Sequence, residues 1–243
     1  MPGTDGPHRP RPTALVGIPG TGSDADHVTR SFQRAAADLE VELIALDPTT
    51  PLIDGHLRGL ERAAGAHRSI LVGGVSIGAA IALEWALRDN GRRCAGVLAA
   101  LPAWSGDAHS APAAASAGAT ADALERDGLE ATIAAMASSS PDWLAAELTR
   151  SWRGLYPGLA GMLREAARHR APTPVEIAGL TVPLAIVAAA DDPVHPIAVA
   201  REWRAAAPRS TLVEITLDAW GHDPGVLGDE LRAGLVELTD PPG

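Results

Sequence analysis

A single serine between two glycines, in Gly74-Val75-Ser76-Ile77-Gly78, ends the apolar run "RSILVGG" and begins a helical pattern over residues 77–89. That spacing suits a nucleophile: a sharp strand-to-helix turn lifts the hydroxyl clear of the sheet, and small flanking residues let strand and helix approach closely. The helix N-terminus adds backbone N–H groups and a favourable field for a developing oxyanion. A serine hydroxyl needs a base, so one of the 8 histidines must reach it. His8 lies near the N-terminus, and His27, His56, His67 and His169 sit in or beside amphipathic helical patterns. His109 opens a strand-poor segment, and His195 lies in a loop after an apolar run. His222, in "LDAWGHDPG", follows the last predicted strand in a stretch of turn formers. It is the expected base, because open α/β sheets bind ligands at the carboxyl edge. An imidazole base needs a carboxylate to fix its tautomer, and "AAADDPVHP" offers Asp191 and Asp192 at the same edge.

The elements that position these residues follow from the hydrophobic pattern. Short apolar runs at 13–19, 41–47, 68–74, 94–102, 183–190 and 210–216 alternate with helical patterns at 25–37, 54–66, 77–89, 197–206 and 224–237. Buried runs alternating with helices predict a mostly parallel sheet of about six strands covered on both faces. Residues 104–179 contain no convincing strand, and helical patterns at 121–136, 141–152 and 156–169 predict a helical lid inserted after the fourth strand. The expected organisation is a loose arm at 1–12, core at 13–103, lid at 104–179 and core again at 180–243.

In the order serine, acid, histidine the chain resembles the α/β-hydrolase superfamily, from about residue 13 to the C-terminus. Similar members carry G-x-x-D-P-V-x-P around the acid, and Ala189-Ala190-Asp191-Asp192-Pro193-Val194-His195-Pro196 matches all but the glycine. The resemblance therefore implies Asp192 as the acid and leaves His195 on a variable position, as a loop residue near the site. "GIPGTGSD" (17–24) resembles the family's H-G-x-G loop, with Pro19 at the histidine. It implies an oxyanion hole made of the backbone N–H groups of Thr21 and Ile77. The usual fold opens with two further strands, and a trimmed sheet is expected here.

The reaction so implied is acyl transfer to water from an ester, thioester or lactone, through an acyl-enzyme on Ser76 and without metal or organic cofactor. Trp104, Met136, Trp143, Trp152, Tyr156 and Met162 are candidates for an apolar acyl pocket. An acyltransferase, or a biosynthetic thioesterase or cyclase serving a carrier protein, would use the same triad. A non-catalytic binding protein on a hydrolase scaffold is the alternative outside enzymes. Composition narrows the partners: 46% hydrophobic and 21% charged residues describe a globular chain able to bury a core. A net charge of −10, with all 20 basic residues arginine and scattered, argues against nucleic acid and anionic membranes. One cysteine, Cys94, excludes an internal disulfide and a CxxC metal site and is expected to be a buried thiol. The expected setting is cytoplasmic, as a monomer or homodimer, with a small-molecule substrate.

Overall fold

Residues 10–239 are described by the computed structural model, so the expected arm at 1–12 lies, but for its last three residues, outside the described residues. In chain order the elements are β1 (Ala14–Ile18), α1 (Ala25–Asp38), β2 (Glu42–Ala45), α2 (Leu52–Ala66), β3 (Ile70–Val75), α3 (Ile77–Asp89) and β4 (Cys94–Ala100). Five helices follow: α4 (Pro112–Asp127), α5 (Leu129–Ser139), α6 (Asp142–Leu155), α7 (Leu159–Ala167) and α8 (Pro174–Ile177). The chain then completes β5 (Leu184–Ala189), α9 (Ile197–Ala206), β6 (Ser210–Ile215), α10 (Leu217–His222) and α11 (Val226–Thr239).

The strands form one sheet in the order β2-β1-β3-β4-β5-β6, with every neighbouring pair parallel. Each inner strand reads as a continuous apolar run because alternate residues are buried on opposite faces. On β5, Leu184, Ile186 and Ala188 join the core beneath α2, α3 and α9, while Ala185, Val187 and Ala189 join the core beneath α1 and α11. Helix α3 is buried over most of its surface, with only Glu84, Leu87 and Arg88 reaching its outer side, as a helix packed between sheet and neighbours must be. Cys94 is buried at the start of β4. Strand order reverses between β1 and β3, and the crevice at such a switch point is where open α/β sheets hold ligands.

The lid is the α4–α8 segment between β4 and β5, with a small core of its own around Leu124, Ile133, Trp152 and Leu163. One expected boundary moves. The Ala/Ser-rich run before residue 121 is helical from Pro112 onward, because alanine is the best helix former and proline suits the first helical position. Gly128, at φ +80°, then breaks the predicted 121–136 helix into α4 and α5. A second difference lies after β6, where "LDAWGH" forms α10 instead of a loop. Its first turn is tied down twice: Thr216 Oγ1 accepts from Ala219 N at 3.1 Å and Asp191 Oδ1 accepts from Leu217 N at 2.8 Å. Among the described residues no helix is long and apolar enough to cross a membrane.

Candidate active site

Ser76 sits between β3 and α3 at φ 56°, ψ −117°, a backbone conformation that L-residues adopt only where the surroundings enforce it. The enforcement is visible. Ser76 N donates to Ala100 O on the neighbouring strand at 2.9 Å, while Ser76 O accepts from Ala79 N at 3.0 Å in the first turn of α3. The two motif glycines are required by close approach. A side chain at Gly78 would run into the carbonyl oxygen of Ile18 and lie 2.7 Å from that of Pro19; one at Gly74 would lie 2.6 Å from Ala79 N. The turn thus brings the helix against both its own strand and the end of β1.

Asp192 and His195 arrive together, on the loop between β5 and α9. Asp192 Oδ1 accepts from the backbone N–H groups of Val194 at 2.7 Å and His195 at 3.2 Å, folding the loop back on its own carboxylate. Its Oδ2 lies 2.7 Å from His195 Nδ1, and His195 Nε2 lies 2.9 Å from Ser76 Oγ. Burial works to raise the Asp192 pKa, but the hydrogen bond and charge of His195, with the two backbone donors, outweigh it and hold the carboxyl below its ordinary value. An ionised carboxylate only accepts, so Nδ1 carries the imidazole proton and Nε2 is left to accept the Ser76 hydroxyl proton. Ser76 is 9% exposed, so this chain of hydrogen bonds is largely screened from water.

The ring that meets Ser76 is therefore His195, and the expected pairing with His222 is not formed. His222 is the last residue of α10; its side chain is 78% exposed, and its Nδ1 donates to Asp218 O at 2.9 Å. Geometry explains the difference. Helix α10, capped by Thr216 and tied at its start to Asp191, holds the later histidine outward. Asp191, the other half of the acid pair, instead accepts from Leu217 N at the start of α10. The sequence signal for His195 was its three-residue spacing from Asp192 across a proline.

The remaining site candidates divide. The glycine loop after β1 lies on the serine, since a side chain at Gly20 would come within 3.6 Å of Ser76 Cβ, and Thr21 follows directly. Ile77 opens α3, whose first N–H groups have no partner within the helix. Trp152 packs in the lid core with its indole over Gly22, and its neighbour Ser151 donates from Oγ to Gly22 O at 2.7 Å. Trp104 is buried in the main core and donates from Nε1 to His169 O at 3.1 Å. Met162 joins that same core, while Met136 packs at the edge of the lid core. Trp143 meets Trp220 edge to face at 4.9 Å between ring centres. Tyr156, at the end of α6, is 48% exposed and so does not line an enclosed acyl pocket.

No family model matches the chain, and no curated protein matches it. Solved structures do. A thermophilic esterase from Thermogutta terrifontis superposes with a TM-score of 0.71 at 17% identity, over 94% of this chain and 91% of the other. The putative non-heme bromoperoxidase BpoC from Mycobacterium tuberculosis gives a TM-score of 0.69 at 17% identity, over 94% and 93%. An esterase from Exiguobacterium antarcticum gives 0.68 at 13% identity, over 90% and 92%. At such identities the likeness is one of fold: this chain has an α/β-hydrolase fold with a helical lid. On that fold an Asp–His pair lies beside a serine at a strand-to-helix turn.

Proposed function

We propose that this protein is a serine hydrolase acting on an ester, thioester or lactone with a small to medium apolar acyl group, its chemistry carried by residues 13–103 and 180–243 and covered by the lid at 104–179. The observation that carries the reading is the continuous hydrogen-bond chain from Ser76 Oγ through His195 to Asp192. Ser76 Oγ attacks the substrate carbonyl carbon as His195 Nε2 takes its proton, and Asp192 stabilises the imidazolium. The backbone N–H groups of Ile77 and Thr21 receive the tetrahedral oxyanion. Collapse expels the leaving alcohol or thiol with the proton from Nε2. Water, deprotonated by the same nitrogen, then attacks the acyl-serine, and the proton returns to Ser76 as the acid leaves. The fold is shared with proteins described as esterases, which is compatible with ester chemistry.

The test is intact-mass labelling with a small fluorophosphonate, followed by peptide mapping. One adduct is expected on Ser76, absent from Ser76→Ala. His195→Ala should slow labelling by about 10³-fold or more, as loss of a triad base does, and His222→Ala should change it less than about twofold. Absence of an adduct overturns the nucleophile. Slowing in His222→Ala with His195→Ala unaffected overturns the assignment of the base.

A further inference from the structure

The glycine loop that carries Thr21 is held at both ends, and the two holds come from different parts of the molecule. On the core side the loop leans on the nucleophile turn: a side chain at Gly20 would come within 3.6 Å of Ser76 Cβ and 3.5 Å of Val75 O. Ser23 N donates to Gly20 O at 3.0 Å and closes a turn over Thr21 and Gly22. Gly22 has a φ of +77°, which the third position of a type II turn demands and glycine supplies. Thr21 thus stands between Gly20, set against the serine, and Gly22.

Gly22 and Asp24 are held in turn by three successive residues of the lid helix α6. Arg150 binds both oxygens of Asp24, at 2.7 and 2.8 Å, and the same carboxylate accepts from His27 N at 3.3 Å to cap α1. Ser151, 1% exposed, donates from Oγ to Gly22 O at 2.7 Å, although its own helix offers Glu147 O at 3.2 Å and Leu148 O at 3.3 Å. A hydroxyl has one proton to give, and the shortest of these three contacts crosses from lid to core. Trp152 completes the grip, since a side chain at Gly22 would fall 2.7 Å from its Nε1. A cover needs only apolar area. These contacts instead fix the backbone just beyond Thr21.

We propose, on the footing of the acyl transfer assigned to Ser76, that Arg150 and Ser151 are positioning residues for the oxyanion hole. Seated on the loop, they hold the Thr21 N–H where the oxyanion develops, so the lid is part of the catalytic machinery as well as its cover. Such a donor acts on the charge that develops in the transition state far more than on the ground-state carbonyl. A loosened loop therefore slows formation of the tetrahedral adduct without weakening substrate binding. Removing an oxyanion donor outright costs about 10²–10³ in rate, and displacing one costs a part of that, about tenfold.

The test is stopped-flow hydrolysis of p-nitrophenyl butyrate, in which the nitrophenolate burst reports the acylation rate constant and the half-saturating ester concentration separately. Ser151→Ala and Arg150→Met should each lower the rate constant about tenfold and leave half-saturation within about twofold of wild type. Affinity for a short trifluoromethyl ketone, whose adduct on Ser76 is itself an oxyanion, should fall by the same factor. Arg153→Met, one residue further along α6 and paired with Glu130 inside the lid, should change neither quantity. Arg150 is half-exposed, so Arg150→Met carries the test even where the buried Ser151→Ala loosens the lid core. A burst that is missing from wild type, or that survives Ser76→Ala, overturns the acyl-transfer reading and this proposal with it. A Ser76-dependent burst that is undiminished in Ser151→Ala or in Arg150→Met overturns the positioning role alone. So does a rise in half-saturation at an unchanged rate constant, or an equal loss of rate in Arg153→Met.

Discussion

Lowering the pH from 7.5 to 4 should destabilise this protein, and the share carried by His56 can be isolated. His56 lies on the buried face of α2, 1% exposed, with neither ring nitrogen hydrogen-bonded. Burial depresses its pKa from the ordinary 6.5 to about 4, against the opposing pull of the Glu165 and Asp47 charges. Between those two values the unfolded chain binds a proton that the folded chain refuses, so stability rises with pH across that window and is flat above it. The gap of about 2.5 pH units corresponds to about 3 kcal/mol in full, and about 2 kcal/mol of this is lost by pH 5. Urea unfolding of wild type and His56→Phe at half-unit pH intervals reads this contribution directly. Phenylalanine keeps a ring of similar shape and cannot titrate, so other groups cancel in the difference between the two curves. That difference should be constant above pH 7 and change by about 2 kcal/mol at pH 5. Parallel curves for the two proteins would refute the claim that this imidazole is buried neutral and without partners.

Further outcomes follow from contacts already described. Gly78→Ala should lower stability by about 1–3 kcal/mol in a thermal melt, because its methyl group meets the backbone carbonyls of Ile18 and Pro19, and it should also slow labelling of Ser76. Ser151→Ala should cost about 1 kcal/mol by urea unfolding, since it removes the buried hydroxyl that donates to Gly22 O. Breaking the pairs of half-exposed Arg150 with Asp24 and Asp26 by Arg150→Met should change global stability by less than about 1 kcal/mol yet speed proteolysis within α6, which those pairs tie to the start of α1.

The sheet was legible because its signal is local. Runs such as "ALVGI" and "LAIVAA" are apolar at every position only when both faces are covered, and the helices between them carry their own periodicity. The serine turn was equally legible, since two glycines flanking one serine at a strand-to-helix junction record a steric requirement. Asp192 could be placed at the right edge, and the structure brings it within two hydrogen bonds of Ser76. The choice between His195 and His222 was not legible. Both follow strands that end at the same edge, and which ring reaches the serine depends on how two loops fold. Asp192 curls one loop inward; Asp191 and Thr216 wind the other into α10 and turn its histidine outward. Those are contacts between distant residues, with no periodicity to mark them. The aromatic residues of the lid were likewise unresolvable by sequence, because a tryptophan packed in the core and one lining a pocket have the same spacing along a helix.

Placing acid and base three residues apart on one loop has a consequence for the order in which the molecule is built. During synthesis every group of the proposed hydrogen-bond chain has left the ribosome once Pro196 has, before α9, β6, α10 and α11 exist. What the last fifth of the chain contributes is an edge strand and the α9 and α11 parts of the two cores. Chemistry and completion of the sheet are thereby divided along the sequence. A split between α9 and β6 would leave one fragment with all three groups and the other with the scaffold that makes them rigid.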